Sequence, residues 1–173
     1  MSITVISVVA KSGTGKTTLL EKMIAEFKNR KYRVGVIKHD AHRFDIDHKG
    51  KDSWRLTEAG ADTMIISSME KLAMVKKNET PVDEPTLSEL VNTYMTDVDI
   101  VLTEGFKKNK YPKVEVHRRE RSNELLCRGE SEDPTLIAVA SDTEMELDVP
   151  AFNINDFKGI CDLIENRFLS ENF

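Results

Sequence analysis

Apolar and polar positions along this chain fall into a few repeating patterns. Residues 3–9 form an apolar, β-branched run that reads as a buried strand, and residues 32–38 and 136–140 repeat the type. After the first run, Leu19, Leu20, Met23, Ile24 and Phe27 recur at the spacing of one helical face. Residues 53–59 predict a short helix, with Asp52 as its N-cap and Gly60 as its stop. Segments 63–67 and 72–76 flank Ser68-Met69-Glu70-Lys71 and predict a hairpin. A loop at 77–85 carries two prolines, and Thr86-Leu87-Ser88-Glu89 is then a capping box opening a helix through Leu90, Val91, Tyr94 and Met95. Residues 99–105 read as another apolar strand, 113–117 alternates like a half-exposed one, and 149–152 is a short one. Asn155 is placed to cap a last helix, whose apolar face is Phe157, Ile160, Cys161, Ile164 and Phe168.

Strands alternating with helices predict an α/β fold, a mainly parallel sheet flanked by helices. The 63–76 hairpin and the 113–117 strand are expected to add β segments at an edge. Such an edge invites pairing with a second copy, so a homodimer is expected. At 173 residues the chain is expected to form one domain over 1–173 and to bury roughly 70% of its unfolded surface.

The first strand runs into Ala10-Lys11-Ser12-Gly13-Thr14-Gly15-Lys16-Thr17-Thr18, and the first helix follows. Strand, glycine-rich turn, Lys-Thr and helix make the context of the phosphate-binding P-loop, although Ala10 stands where the pattern usually begins with glycine. Glycine lets backbone N–H groups turn toward phosphate oxygens, and the helix N-terminus adds partial positive charge. The expected phosphate-binding residues are Ser12, Gly13, Thr14, Gly15, Lys16, Thr17 and Thr18. Lys16 is expected to reach the β- and γ-phosphates, and the Thr17 hydroxyl to ligate Mg²⁺. These residues make a P-loop NTPase-type fold the expectation.

Strand 99–105 ends Thr103-Glu104-Gly105, an acid after an apolar run, as in a Walker-B strand that holds Mg²⁺. Asp99 competes for the role, but it sits about 16 Å away at the start of the strand. Glu104 is therefore the expected metal residue, with Gly105 letting the chain pass close to the γ-phosphate. No residue stands out as the one that positions an attacking water, so the catalytic residue is unknown.

The polar stretch from His39 to Asp52 follows a strand end, where open α/β sheets place their ligands. His39, His42, Asp45, Asp47 and Asp52 are candidates for a switch or substrate loop, and Asp45 and Asp47 for holding a hydrated Mg²⁺. Three histidines there, with His48, also invite a transition-metal reading, but no pair has the helical spacing of a zinc site. Arg118, Arg119, Arg121 and Arg128 form a charge run. One of them is a candidate for reaching phosphate from outside, and the plainer reading is a solvated face. Ser141 and Asp142 close the 136–140 strand on the expected ligand side, so Asp142 is a candidate acceptor for guanine N1 and N2. The familiar Asn-Lys-x-Asp guanine motif is absent.

Hydrophobic residues make up 39% and charged residues 32%, ordinary for a soluble globular protein. A net charge of −5 argues against nucleic-acid binding by phosphate neutralisation. No apolar run is long enough to span a membrane, and because the N-terminal strand runs straight into the glycine-rich turn no signal peptide is expected. Cys127 and Cys161 lack disulfide or zinc spacing, so the cytoplasm is the expected compartment.

In order along the chain, the P-loop, Lys38-His39-x-x-His42, Asp45-x-Asp47 with Gly50-Lys51-Asp52-Ser53, and Thr103-Glu104-Gly105-Phe106-Lys107 form a narrow combination. With Val139-Ala140-Ser141-Asp142 and Asn153-Ile154-Asn155-Asp156, the chain resembles the molybdopterin-guanine dinucleotide biosynthesis protein B family, MobB, over nearly its whole length. The resemblance implies a homodimeric, GTP-binding and weakly GTP-hydrolysing accessory protein of molybdenum cofactor biosynthesis. Its implied partners are molybdopterin and MobA, the enzyme that attaches GMP to it, and its implied ligands are GTP and Mg²⁺. Gly13, Gly15, Lys16 and Thr17 would hold phosphates and metal, Glu104 would complete the metal shell, and the 39–52 loop would sense nucleotide or bind cofactor. Lys11 also matches the second lysine of the deviant P-loops that reach across dimeric ATPases.

Two other functions compete. A small-molecule P-loop kinase would use the 118–128 arginines as a lid, but no acceptor-binding motif is legible. A metallochaperone GTPase would use His39, His42 and His48. The MobB resemblance leads because it accounts for the motif order along the chain.

Overall fold

The β-branched run at the N-terminus folds as β1 (Thr4–Ala10), and the computed structural model describes residues 3–40, 44–80, 84–129 and 132–170. The chain divides into two compact units, Met1–His39 with Leu87–Phe173, and Asp40–Thr86. In the larger unit β1 is followed by α1 (Lys16–Asn29) and β2 (Val34–Lys38). The smaller unit contributes α2 (Asp52–Glu58), β3 (Thr63–Ser67) and β4 (Leu72–Lys76). The larger then resumes with α3 (Leu87–Tyr94), β5 (Ile100–Glu104), β6 (Lys113–His117), β7 (Leu136–Ser141), β8 (Ala151–Asn153) and α4 (Phe157–Phe168).

The six strands of the larger unit form one sheet in the order β2-β5-β1-β6-β7-β8, paired in parallel throughout. Parallel strands need crossovers that cover both faces, which is why β1 and β5 read as continuous apolar runs. On one face Ile6, Val8, Leu102, Val114 and Ala138 pack against α1 and α4 through Leu20, Met23, Phe27, Ile160 and Ile164. On the other, α3 covers Val5, Ile37 and Val101 with Leu87 and Val91, and Leu125 and Cys127 cover Val9, Leu136 and Val139. Cys127 and Cys161 are free and buried, and burial pushes both thiols up to about 12.

The structure corrects the reading of 113–117. β6 lies in the sheet interior between β1 and β7, and all five of its residues are buried. Val114 and Val116 enter the core beneath α1 and α4. The alternate side chains, Lys113, Glu115 and His117, are charged or polar, yet each is buried with partners. Lys113 Nζ donates to Asn109 O and to Thr135 Oγ1, both at 2.6 Å, and pairs with Asp133 at 3.0 Å. Glu115 accepts from the backbone N–H groups of Leu126 and Cys127 at 2.6 and 2.9 Å. Polar alternation signals a solvated face only where nothing covers it; here hydrogen-bond partners within the protein replace solvent.

In the smaller unit, β3 and β4 pair antiparallel from Thr63↔Lys76 to Ser67↔Leu72. They form a separate two-stranded sheet rather than an extension of the larger one. Two helix starts shift by one residue from expectation. Lys51 is the N-cap of α2, so Asp52 becomes its first residue, where a carboxylate suits the helix dipole. Asp156, not Asn155, caps α4, because its Oδ1 reaches Gly159 N at 3.0 Å. Among the described residues no helix is long and apolar enough to cross a membrane.

Candidate functional site

All strands of the larger sheet point the same way, so Lys38, Glu104, Ala10, His117 and Ser141 come to one edge. The registers set them side by side: Lys38↔Glu104, Val8↔Glu104, Ala10↔Val116 and His117↔Ser141. β1 is where the order reverses, with β2 reached on one side and β6 on the other, the position at which open α/β sheets form a crevice.

The 11–15 turn leaves β1 at this edge. Gly13 and Gly15 have φ of 75° and 96°, the left-handed region that side chains resist. Gly15 is the N-cap of α1 and its carbonyl accepts the first helical bond from Leu19 N at 3.0 Å. The buried Thr14 hydroxyl donates to Lys11 O at 3.0 Å and braces the turn. Ser12 lies within the turn and Thr18 within the first turn of α1. Lys16 Nζ lies 3.5 Å from Lys11 O. Burial pulls its pKa below the ordinary lysine value; Glu104 opposes that shift, while Lys107 and Lys38 add to it.

Of the two acids of β5, Glu104 stands beside this turn, with Thr17 Oγ1 3.4 Å from both carboxylate oxygens. Asp99 is at the far end, bound to Arg33 through its backbone N at 2.7 Å and Nη2 at 2.6 Å. Those bonds hold the Asp99 carboxyl below the usual aspartate range. Gly105 also lies against the backbone of His39. With φ 107°, a Cβ there would meet His39 O at 2.9 Å, so this glycine admits the His39 backbone. His39 N donates to Glu104 O at 2.8 Å, and its ring packs against Phe106 at 5.1 Å.

Of the other 39–52 candidates, Asp45, Asp47 and Asp52 belong to the smaller unit and His42 lies outside the described residues. Asp47 Oδ1 accepts from His48 N at 2.7 Å, and Asp52 lies 3.6 Å from Arg55. Among the described residues no three His, Cys, Asp or Glu side chains gather as a metal site.

Ser141 and Asp142 already hold parts of the chain together. Ser141 Oγ meets His117 Nδ1 at 3.1 Å, and Asp142 Oδ1 accepts from Arg119 N at 3.0 Å. The other nitrogen of His117 faces Ser122 O at 2.9 Å and donates to that carbonyl, which can only accept. Lys11, read as reaching across a dimer or as solvated, donates to Ser122 Oγ in its own chain. The arginine run is likewise not simply a solvated face. Arg118 Nε donates to Thr14 O at 3.0 Å, and the Arg121 guanidinium lies 3.3 Å from the position a Cβ on Gly13 would take. Arg128 pairs with Asp148 at 2.7 Å. Sequence reasoning missed the joint arrangement of Lys11, Arg118, Arg121 and Ser122 around the turn. The signal was the placement of this run directly after a strand end.

The family described as Molybdopterin guanine dinucleotide synthesis protein B, MobB, matches residues 5–142, from within β1 to just past β7. The chain belongs to the MobB family. A molybdopterin-guanine dinucleotide biosynthesis adapter protein of Haemophilus influenzae is 39% identical over 164 residues, covering 95% of this chain and 89% of its own. The protein of the same name from Escherichia coli is 37% identical, covering 98% and 96%. Among solved structures, one described as molybdopterin-guanine biosynthesis protein B superposes with a TM-score of 0.73 at 26% identity, covering 94% of this chain and 97% of its own. The MobB match takes in the glycine turn, Glu104, the 39–52 stretch and the arginine run, and it ends at Asp142.

Proposed function

We propose that this MobB-family chain binds GTP with Mg²⁺ at the turn between β1 and α1 and acts as an adapter in molybdopterin guanine dinucleotide assembly. The observation that carries the reading is Thr17 beside Glu104, under a left-handed glycine turn from which α1 starts at Lys16. Backbone amides of Ser12, Gly13, Thr14 and Gly15, with Thr18 at the helix start, would cradle phosphates, and Lys16 would supply a full positive charge. Thr17 and Glu104 offer hard oxygen donors, the set Mg²⁺ prefers, and the bound ion would neutralise phosphate charge. Guanine preference rests on the family, since Ser141 and Asp142 are engaged within the chain.

In this reading the chain works in the cytoplasm. It hydrolyses GTP weakly and presents its nucleotide-bound form to MobA, which attaches GMP to molybdopterin. Competition of GTP and ATP against a fluorescent GTP analogue tests the nucleotide assignment. The expected result is a preference for GTP of more than roughly tenfold, about 1.4 kcal/mol. Equal affinity, or a preference for ATP, contradicts it.

The adapter is proposed to be a homodimer joined through the hairpin of the smaller unit. Ile65, Ile66, Leu72 and Met69 of this hairpin are all more than half exposed. A two-stranded sheet with that much open apolar surface is marginal by itself and suits pairing with another copy. Sedimentation should give a dimer for the natural chain and a monomer for the Ile66→Glu/Leu72→Glu double variant. A dimer in both would remove the hairpin from the interface.

A further inference from the structure

We infer that Arg121 is a phosphate-contacting residue delivered from within the chain, reaching the terminal phosphates of a nucleoside triphosphate from the Gly13 side of the turn. The inference rests on the nucleotide-binding reading above and adds a residue, and a phosphate selectivity, to it.

The segment after β6 is pinned to the phosphate-binding turn at several points. Arg121 N and Ser122 N both donate to Arg118 O, at 2.9 and 3.2 Å, closing a tight turn. Ser122, the next residue, is clamped on both of its oxygens: Lys11 Nζ donates to Oγ, and His117 Nε2 to the carbonyl at 2.9 Å. His117 is itself buried and fixed by Ser141. The backbone of Arg121 therefore stands between two anchors, and its direction is set by the fold.

The two inward arginines have different partners. Arg118 spends its Nε on Thr14 O at 3.0 Å, and its Nη1 lies 3.9 Å from Asp142 Oδ2. It is a positioning residue that ties the segment to the turn. Among the described residues the ion-pair partner of Arg121 is Glu120 at 3.6 Å, with both side chains more than half exposed. Its guanidinium lies against Gly13, with Cζ, Nε and Nη2 all within 3.5 Å of the Cβ position that glycine leaves vacant.

Charge points the same way. Lys11, Lys16, Arg118 and Arg121 gather around one turn whose amides and helix dipole are also positive. Among the described residues the acids in contact with these groups are Glu104, Glu120 and Asp142, and Asp142 also accepts from Arg119 N. An arrangement with surplus positive charge is completed by an anion. A planar guanidinium bonds phosphate oxygens with two parallel N–H groups, which a lysine does not reproduce. Because the turn directs Lys16 at the β- and γ-phosphates, a second cation on Gly13 faces the same end of the ligand.

Equilibrium titration of the full chain with GTP and with GDP, both with Mg²⁺, tests this in the wild type, Arg121→Ala, Arg121→Lys and Arg118→Ala. Arg121→Ala should weaken GTP roughly tenfold and GDP by less than about twofold. Arg121→Lys should restore part of the loss, and Arg118→Ala should weaken both nucleotides together. An unchanged GTP affinity in Arg121→Ala overturns the inference and leaves the nucleotide site standing. Equal loss of GTP and GDP in Arg121→Ala also overturns it, because that pattern reports a purely structural residue. A wild type that binds neither nucleotide instead removes the nucleotide-binding reading, and this inference with it.

Discussion

Glu115→Ala should destabilise the protein by about 3 kcal/mol, one of the larger losses expected of any single replacement in the chain. Glu115 is 2% exposed and accepts the backbone N–H groups of Leu126 and Cys127. Alanine would leave two buried donors without acceptors and a cavity beside them, each with its own cost. For a chain of this size that loss lowers the melting temperature by roughly 6–12 °C. The effect should also reach the site, because residues 118–127 carry both the Glu115 contact and the arginines that lie on the 11–15 turn. Thermal unfolding of Glu115→Ala and Glu115→Gln separates the contributions. Glutamine keeps one acceptor oxygen and should recover about half the loss. A melting temperature unchanged in Glu115→Ala would mean that β6 is not packed as described.

The second large effect is on the ligand. Lys16→Ala should weaken GTP about 100-fold, roughly 2.7 kcal/mol, within the range for losing a charged hydrogen-bonding group at a buried phosphate. The side chain points back over the turn toward Lys11 O, so its removal opens no large core cavity and the melting temperature should stay nearly constant. Lys16 also gives the binding a pH dependence whose sign follows from its environment. Burial lowers the Lys16 pKa in the free protein, whereas a bound phosphate would favour its charged form. The contribution of Lys16 is then fully present at pH values below its depressed free-state pKa, begins to fade there, and is lost as the pH rises through the higher bound-state pKa. Affinity should therefore start to fall at a lower alkaline pH than the ordinary lysine value of 10.5 suggests, and Lys16→Ala should lack that limb. A wild-type affinity flat through this range would exclude Lys16 from the phosphate contact.

Much of the frame was legible because local signals and tertiary demands agree. β1, α1, β5 and β7 each combine a strong apolar pattern with a position that buries it, so pattern and structure coincide. The preference for Glu104 over Asp99 needed only the direction of a parallel strand. β6 misled because alternation reports which side chains differ, not what covers them. Lys113, Glu115 and His117 take partners from 109, 122, 126, 127, 133, 135 and 141, a pairing no local window contains. The arginine run and Lys11 misled for a related reason. Exposed charges are usually solvated, and only the return of the chain past the turn sets Arg118 on Thr14 and Lys11 on Ser122. The helix starts shifted by one residue because neighbouring positions offer capping groups of similar strength, as Asn155 and Asp156 do.

The central claim is that the 11–18 segment and Glu104 form a Mg²⁺-dependent triphosphate site. Calorimetric titration of the natural chain with GTP, with Mg²⁺ and again with the metal chelated, tests it most directly. One saturable site per chain, weakened when Mg²⁺ is removed, is the predicted result. No saturable heat with GTP in the presence of Mg²⁺ would contradict the account.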